Sequence, residues 1–245
     1  MLTPATALVV VAGAVAGGFV TGLAGFGTGL IALGFWLHVL APAPAATLVA
    51  VCSVAAQVQT LPTIWHAIDR RRVLPMVLAG LLGVPVGTML LSKLDVDVFR
   101  LSVGVFLIAF SGFMLVTSGQ PRLMSGGRMA DSAVGFAGGI LGGLAGLSGP
   151  LPTVWATLRG WTKDQRRSVF QVFNLAILAA VVVWHALSGL LTAELCGLVA
   201  IALPGTFLGA WFGSHTYRRL SDKRFHELVL GLLAVSGLTL LWTSL

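Results

Sequence analysis

The chain consists of long apolar stretches separated by short polar segments. No charged side chain occurs before Asp69, and further uncharged stretches cover residues 133–158, 168–193, 195–217 and 228–245. A helix needs about 20 apolar residues to cross the roughly 30 Å hydrocarbon core of a membrane, so several of these stretches are long enough. They are continuous rather than alternating, which predicts transmembrane helices and not the strands of a barrel.

Composition supports an integral membrane protein. Hydrophobic residues make up 57% of the chain, charged residues 9%, and the mean hydropathy is +0.96, which leaves too little polar surface to coat a water-soluble globule. The formal net charge of +7 is typical of loop charges that orient a protein in the lipid bilayer, so nucleic acid is not a predicted partner. The two cysteines lie in apolar stretches without a ligand motif, and no metal or cofactor is predicted.

An internal repeat divides the chain. Residues 12–29 (AGAVAGGFVTGLAGFGTG) and 133–150 (AVGFAGGILGGLAGLSGP) are identical at eight of 18 positions, and the Trp-His-Ala of residues 65–67 recurs at 184–186. This pattern predicts one membrane domain built from repeat 1 (residues 1–118), a cytoplasmic linker (119–131) and repeat 2 (132–245).

The distribution of basic residues predicts how the repeats are oriented. If loops 66–73, 118–131, 159–167 and 215–226 are cytoplasmic, they hold 13 of the 15 basic residues, as the positive-inside rule requires. Matching loops of the two repeats then face opposite sides of the membrane. The repeats are therefore predicted to be inverted, an architecture of secondary transporters whose substrate site lies near the midplane.

The start of each repeat is interrupted by helix-breaking residues, which include Gly25, Gly27 and Gly29 in one copy and Gly149 and Pro150 in the other. Residues 151–160 are too few to span a membrane. Each repeat is thus predicted to begin with a helical hairpin broken at glycine, formed by half-helices or a re-entrant loop. Three transmembrane helices follow, giving about 8–10 helices in total.

The breaks are the first candidate site. A helix that begins inside the membrane directs free N–H groups and a partial positive charge at its surroundings, which suits an anion, and the hydroxyls of Thr28 and Ser148 add donors. The alternative is that the glycines serve close helix packing alone.

Polar residues in the later helices extend this candidate site. Ser53 and Gln57 share one helical face, as do Arg167, Gln171 and Asn174, and such residues either line a path or hold helices together. Thr47 and Ser168 occupy equivalent positions and either face the site or cap a helix. The predicted substrate-binding residues are Gly25, Phe26, Gly27, Thr28, Gly29, Thr47, Ser53, Gln57, Gly146, Ser148, Gly149, Pro150, Arg167, Ser168, Gln171 and Asn174.

The positions of the acidic residues bear on the transported charge. All eight carboxylates lie in predicted loops or within a turn of one, whereas proton and cation paths usually contain a buried carboxylate. An anion is therefore the predicted substrate. Because the cell interior is negative, the membrane potential alone can drive its export.

The duplicated GLAGFGTG and GLAGLSGP segments, the Ala46-Thr47 and Arg167-Ser168 helix starts and the chain length resemble the TauE/SafE sulfite exporter family of bacterial membrane proteins. This resemblance implies export of sulfite, sulfonates or related organosulfur anions across the cytoplasmic (inner) membrane. It also implies that the breaks and the two helix starts contact the substrate. Whether the chain forms a homodimer stays open.

Two alternatives belong to other classes of protein. Gly146-Leu147-Ser148-Gly149 matches the G-x-S-G pattern of intramembrane serine proteases, with His185 as the candidate base. The predicted topology places His185 near the outer surface, where it anchors the helix at the interface, and this disfavours a Ser–His dyad. The second alternative is a membrane scaffold without a substrate. The transporter interpretation predicts no catalytic residue.

Overall fold

The computed structural model describes residues 3–63, 68–117, 127–161 and 163–217, and this part of the chain forms helices without strands. The helices are α1 (Pro4–Ala24), α2 (Thr28–Trp36), α3 (Pro42–Thr60), α4 (Arg70–Leu91), α5 (Val96–Thr117), α6 (Arg128–Ala145), α7 (Pro150–Leu158), α8 (Lys163–Leu187) and α9 (Ala193–Tyr217), with a 3-10 turn at Leu61–Thr63. Five of them, α1, α3, α4, α8 and α9, are long and apolar enough to cross a membrane. The predicted all-helical, polytopic architecture is confirmed. The last predicted helix of repeat 2 falls in 218–245, outside the described residues.

Each repeat begins with a long helix followed by a nine-residue helix. The break between them is where the glycines predicted it, but the two arms are unequal. Helix α1 has 21 residues and α6 has 18, so the first arm of each hairpin is a long helix and not a short half-helix. Whether each hairpin crosses the membrane or re-enters it stays a prediction. The glycines of the first arm remain helical because they pack against a neighbouring helix, and this packing offsets their low helix propensity.

The two repeats exchange one helix each. Helix α1 of repeat 1 packs most extensively against α9 of repeat 2, and α6 of repeat 2 packs most extensively against α4 of repeat 1. By the repeat offset, α6 corresponds to α1 and α9 corresponds to α4. Helices α1, α2, α3 and α9 form one group, here called the α1 half. Helices α4, α6, α7 and α8 form the other, the α6 half. This reciprocal exchange is the pattern expected of two repeats related by a twofold axis, whereas their inversion in the membrane stays a prediction.

Glycines allow the exchanged helices to approach closely. A β-carbon on Gly18 or Gly22 of α1 would collide with the α9 backbone, and one on Gly139 or Gly143 of α6 would collide with the α4 backbone. Backbone atoms cannot rotate away as a side chain does, so these positions need glycine. The packing interpretation is therefore confirmed for these four glycines, which precede the breaks.

Tryptophans tie each short helix to the long helix before it. The indole N–H of Trp36, at the end of α2, donates to the Val10 carbonyl of α1 at 3.1 Å. The indole N–H of Trp155 in α7 donates to the Asp131 carboxylate of α6 at 2.7 Å. Each short helix is thus held at its C-terminal part, which leaves its N-terminus at the centre of the molecule.

Helices α3 and α8 form the largest contact between the α1 half and the α6 half. Helices α3 and α6 form a smaller contact between the two halves. The α3–α8 contact therefore determines what lies between the two halves at the level of the breaks.

Candidate functional site

The two breaks have the same backbone conformation at their first residue. Gly25 and Gly146 end α1 and α6 with left-handed φ angles of 81° and 69°, and their N–H groups donate to the carbonyls of Thr21 and Gly142. A residue with a β-carbon is strained in this region, so glycine at both positions terminates the helix at low cost. The equivalence supports a common origin of the two breaks.

A small cavity lies where the breaks meet α3 and α8. The space between the surrounding atoms is ≈ 220 Å³, so the site is narrow. Ten of the predicted site residues line it, namely Phe26, Gly27, Thr28, Gly29, Ser53, Gln57, Gly146, Gly149, Pro150 and Asn174.

Three leucines complete the lining, and sequence reasoning missed them. They are Leu30, Leu147 and Leu178. The repeat offset of 121 residues was the available signal, because it relates Leu178 to Gln57 and Leu147 to Phe26, both predicted site residues. The same offset relates Ser53 to Asn174, so the two repeats contribute equivalent positions to opposite walls. Only one wall carries the Gln57 amide, and the cavity is therefore chemically asymmetric.

The N-termini of α2 and α7 both begin at the cavity. In α2 the first intrahelical bond runs from Ile31 N–H to Gly27 C=O, which leaves the N–H groups of Thr28 and Gly29 without an acceptor inside the helix. The first turn of α7 contains Pro150 and Pro152, which have no N–H. Both helix dipoles favour an anion, but α2 supplies more backbone donors than α7.

The side chains facing the cavity are neutral. Gln57 is 1% exposed and its Oε1 has no hydrogen-bond partner; this oxygen accepts hydrogen bonds, whereas the Nε2 group of the same amide is the donor suited to an anion. The side chain of Asn174 accepts a hydrogen bond from Ser148 through Oδ1, which leaves its amide N–H groups for other contacts. Among the described residues, no carboxylate lines this cavity.

Two predicted site residues lie directly behind the cavity wall. Ser148 is fully buried and bonds to Asn174 rather than lining the space. Gly25 lies against the side chains of Arg167 and Gln171. Both positions shape the lining residues, and contact of either with a substrate stays a prediction.

Arg167 and Gln171 connect α8 to the α1 half beside the cavity. Arg167 donates from a terminal guanidinium nitrogen to the Gly22 carbonyl at 3.1 Å, and Gln171 Nε2 donates to Thr60 Oγ1 at 2.6 Å. Arg167 is 5% exposed inside α8, so the prediction that it lies in a loop was wrong, whereas its place on the cytoplasmic side stays a prediction. A cation at this place complements the C-terminal carbonyls of α1.

Thr47 and Ser168 have different surroundings despite their equivalent positions. Thr47 Oγ1 donates to the Ala43 carbonyl and lies 2.8 Å from His185 Nδ1. Ser168 Oγ donates to the Gln165 carbonyl within α8. Neither lines the cavity. His185 is fully buried, so the prediction that it anchors the helix at the membrane interface is corrected. Its contact with Thr47 joins α3 to α8.

The protease dyad is not assembled in this structure. Ser148 bonds to Asn174, and His185 lies eleven residues farther along α8, about 16 Å at 1.5 Å per residue. His185 Nδ1 is engaged by Thr47. A serine and its base must be within hydrogen-bond reach, so the geometry favours a binding site over a nucleophile.

One buried carboxylate was not anticipated. Asp131 is 7% exposed in the first turn of α6 and accepts the Trp155 indole N–H. Gly146, where α6 ends, follows fifteen residues later, about 22 Å along the helix. Asp131 therefore fastens α7 at its far end and does not contribute charge to the cavity.

The fold and the cavity define the class: a polytopic helical membrane protein in which broken helices from two repeats meet at a small interior site. Comparison with protein families gives the assignment. Residues 9–240 match the family model described as Sulfite exporter TauE/SafE, so the chain belongs to the TauE/SafE sulfite exporter family. Searches of curated proteins and of solved structures gave no significant match.

Proposed function

We propose that this protein exports sulfite, a sulfonate or a related small organosulfur anion from the cytoplasm across the bacterial cytoplasmic membrane. One observation carries the proposal: the broken helices of both repeats open onto a single cavity of ≈ 220 Å³ that presents hydrogen-bond donors. Helix N-termini and neutral amides bind an anion without trapping it, since they carry only partial charges.

The proposed driving force is the membrane potential. No carboxylate among the described residues lines the cavity, so the site offers no side chain of the type that usually couples proton or cation movement. Each negative charge that moves outward gains about 2.3 kcal/mol per 100 mV. The proposed topology has the basic segments 66–73, 118–131, 159–167 and 215–226 in the cytoplasm. Because the cell interior is negative, this gain favours export of an anion whatever the orientation of the protein.

The experiment is sulfite efflux from proteoliposomes at potentials set by a potassium gradient and valinomycin. We expect the efflux rate to rise as the interior becomes more negative, and to fall when the potential is reversed. Equal rates at negative, zero and reversed potentials would refute electrogenic export. Absence of efflux for sulfite and for simple sulfonates would refute the proposed substrate class.

A matched pair of variants connects the efflux to the cavity. Gln57→Leu removes the buried amide and reproduces the residue found at the equivalent position of repeat 2, Leu178. Gln59→Leu makes the same change at an exposed position of the same helix. We expect roughly a tenfold loss of efflux for Gln57→Leu, as for one lost hydrogen bond to a charged group, and little change for Gln59→Leu.

A further inference from the structure

Two hydrogen bonds cross the α3–α8 contact, one on each side of the cavity. Gln171 bonds to Thr60 at 2.6 Å, and His185 lies 2.8 Å from Thr47. On α3 the cavity-lining residues Ser53 and Gln57 fall between the two threonines. On α8 the lining residues Asn174 and Leu178 fall between Gln171 and His185. The two bonds are thus about 20 Å apart along the helices and bracket the site.

We propose that these two bonds are the gates of the transport cycle, which open one at a time; this inference rests on the proposed function. The inner latch is Thr60–Gln171, on the side of the predicted cytoplasmic loops. The outer latch is Thr47–His185, on the opposite side. Neither Thr60 nor His185 was among the predicted site residues, and both act by holding helices rather than by touching the substrate.

The location of the latches supports this assignment because both join the α1 half to the α6 half. Within each half, the glycine contacts of α1 with α9 and of α6 with α4 bring backbones together, so these helices cannot slide without collision. The α3–α8 contact is the main connection between the halves. A rocking motion of one half against the other would therefore break one latch and preserve the other.

The chemistry of the latches favours reversible opening. All four side chains are at most 2% exposed, and each latch contains one buried atom without a partner, Gln171 Oε1 and His185 Nε2. An unpaired buried polar atom is costly, and a hydrogen bond to water nearly replaces one to protein. Water that enters through an open gate satisfies these atoms, which offsets the lost latch bond.

The two gates differ in strength. On the inner side the latch is accompanied by the Arg167 bond to the Gly22 carbonyl and by an edge-on contact of Phe26 with Phe170, with ring centroids 5.6 Å apart. Both contacts join the same two halves. The inner gate is therefore closed by at least three contacts, and its opening exposes the Arg167 cation to an arriving anion.

Side-specific labelling of the cavity tests the gates. Ser53→Cys is introduced into a chain whose two native cysteines are replaced by Cys52→Ala and Cys196→Ala. The probe is sulfonatoethyl methanethiosulfonate, an anionic thiol reagent that does not cross membranes, applied to right-side-out and inside-out vesicles. Asn174→Cys, at the equivalent position of repeat 2, provides an independent second reporter.

Removal of one latch hydroxyl should open one gate. We expect Thr60→Val to accelerate labelling roughly five- to tenfold in inside-out vesicles and to slow it in right-side-out vesicles. Thr47→Val should have the reverse effect. Thr60→Ser and Thr47→Ser keep the hydroxyl and should label at the parent rate. Thr206→Val changes a buried threonine whose hydroxyl donates to the Ala202 carbonyl within α9. Its contact with the Cys52 thiol of α3 is already absent from the Cys52→Ala parent, so labelling should be unchanged.

The outcomes separate the gates from the substrate. Labelling that rises for both valine variants in the same vesicle orientation, or for neither, overturns the gates. If Thr60→Val and Thr47→Val both label at the parent rate and both export sulfite normally, the two bonds are not gates. Opposite labelling effects without any sulfite efflux support the gates and reject the proposed substrate instead.

Discussion

A negative charge placed in the cavity should block an anion transporter. Gln57 suits this test because it lines the cavity, it is 1% exposed, and glutamate has nearly the same shape. The Gln57→Glu variant therefore changes the charge of the site while leaving its volume almost constant.

The size of the effect follows from the distance between the two charges. An anion that contacts the same side chain, with its charge spread over its oxygens, lies roughly 5 Å from the introduced carboxylate. Two like charges at that distance repel by about 3 kcal/mol at an effective dielectric constant near 20. This corresponds to a loss of about two orders of magnitude in efflux rate.

The assay is sulfite efflux from proteoliposomes at a fixed negative potential. Gln59→Glu is the control, because it adds the same charge at an exposed position two residues farther along α3, and it should change efflux less than about twofold. Acidification that neutralises the introduced carboxyl should restore part of the Gln57→Glu flux. Because burial disfavours the charged form of a carboxyl, the rates are compared from neutral to alkaline pH, and wild-type rates in Gln57→Glu throughout this range would refute the anion site.

Two further variants test the packing and the rejected protease interpretation. Gly139→Ala forces a β-carbon against the Gly80 backbone and should lower the free energy of unfolding by about 1–3 kcal/mol. The readout is a lower melting temperature in detergent. Gly112→Ala is the control, because nothing lies within 4 Å of the new carbon, and it should melt at or above the parent temperature. Equal melting temperatures for these two variants would contradict the glycine-packing argument. Ser148→Ala removes the donor to Asn174 and should retain partial sulfite efflux, since Ser148 does not line the cavity; a protease would lose all cleavage of its substrate.

The sequence determined the architecture wherever local properties decide it. Inside a membrane every backbone group must be satisfied within its own helix, so uncharged length and the positions of Gly25 and Gly146 predicted helices and their breaks. The repeat offset also predicted which residues correspond, and ten of the sixteen predicted site residues line the cavity. These conclusions hold because hydropathy, helix breaking and duplication can be read over short segments.

Only the tertiary structure decided which helices meet. The exchange of α4 and α9 between the repeats, the burial of Arg167 and the bond between His185 and Thr47 join residues far apart in the chain. Helical periodicity orients a side chain around its own axis, but it does not specify the helix on the other side. The length of α1 was misjudged for the same reason: its glycines are compatible with a helix because α9 packs against them.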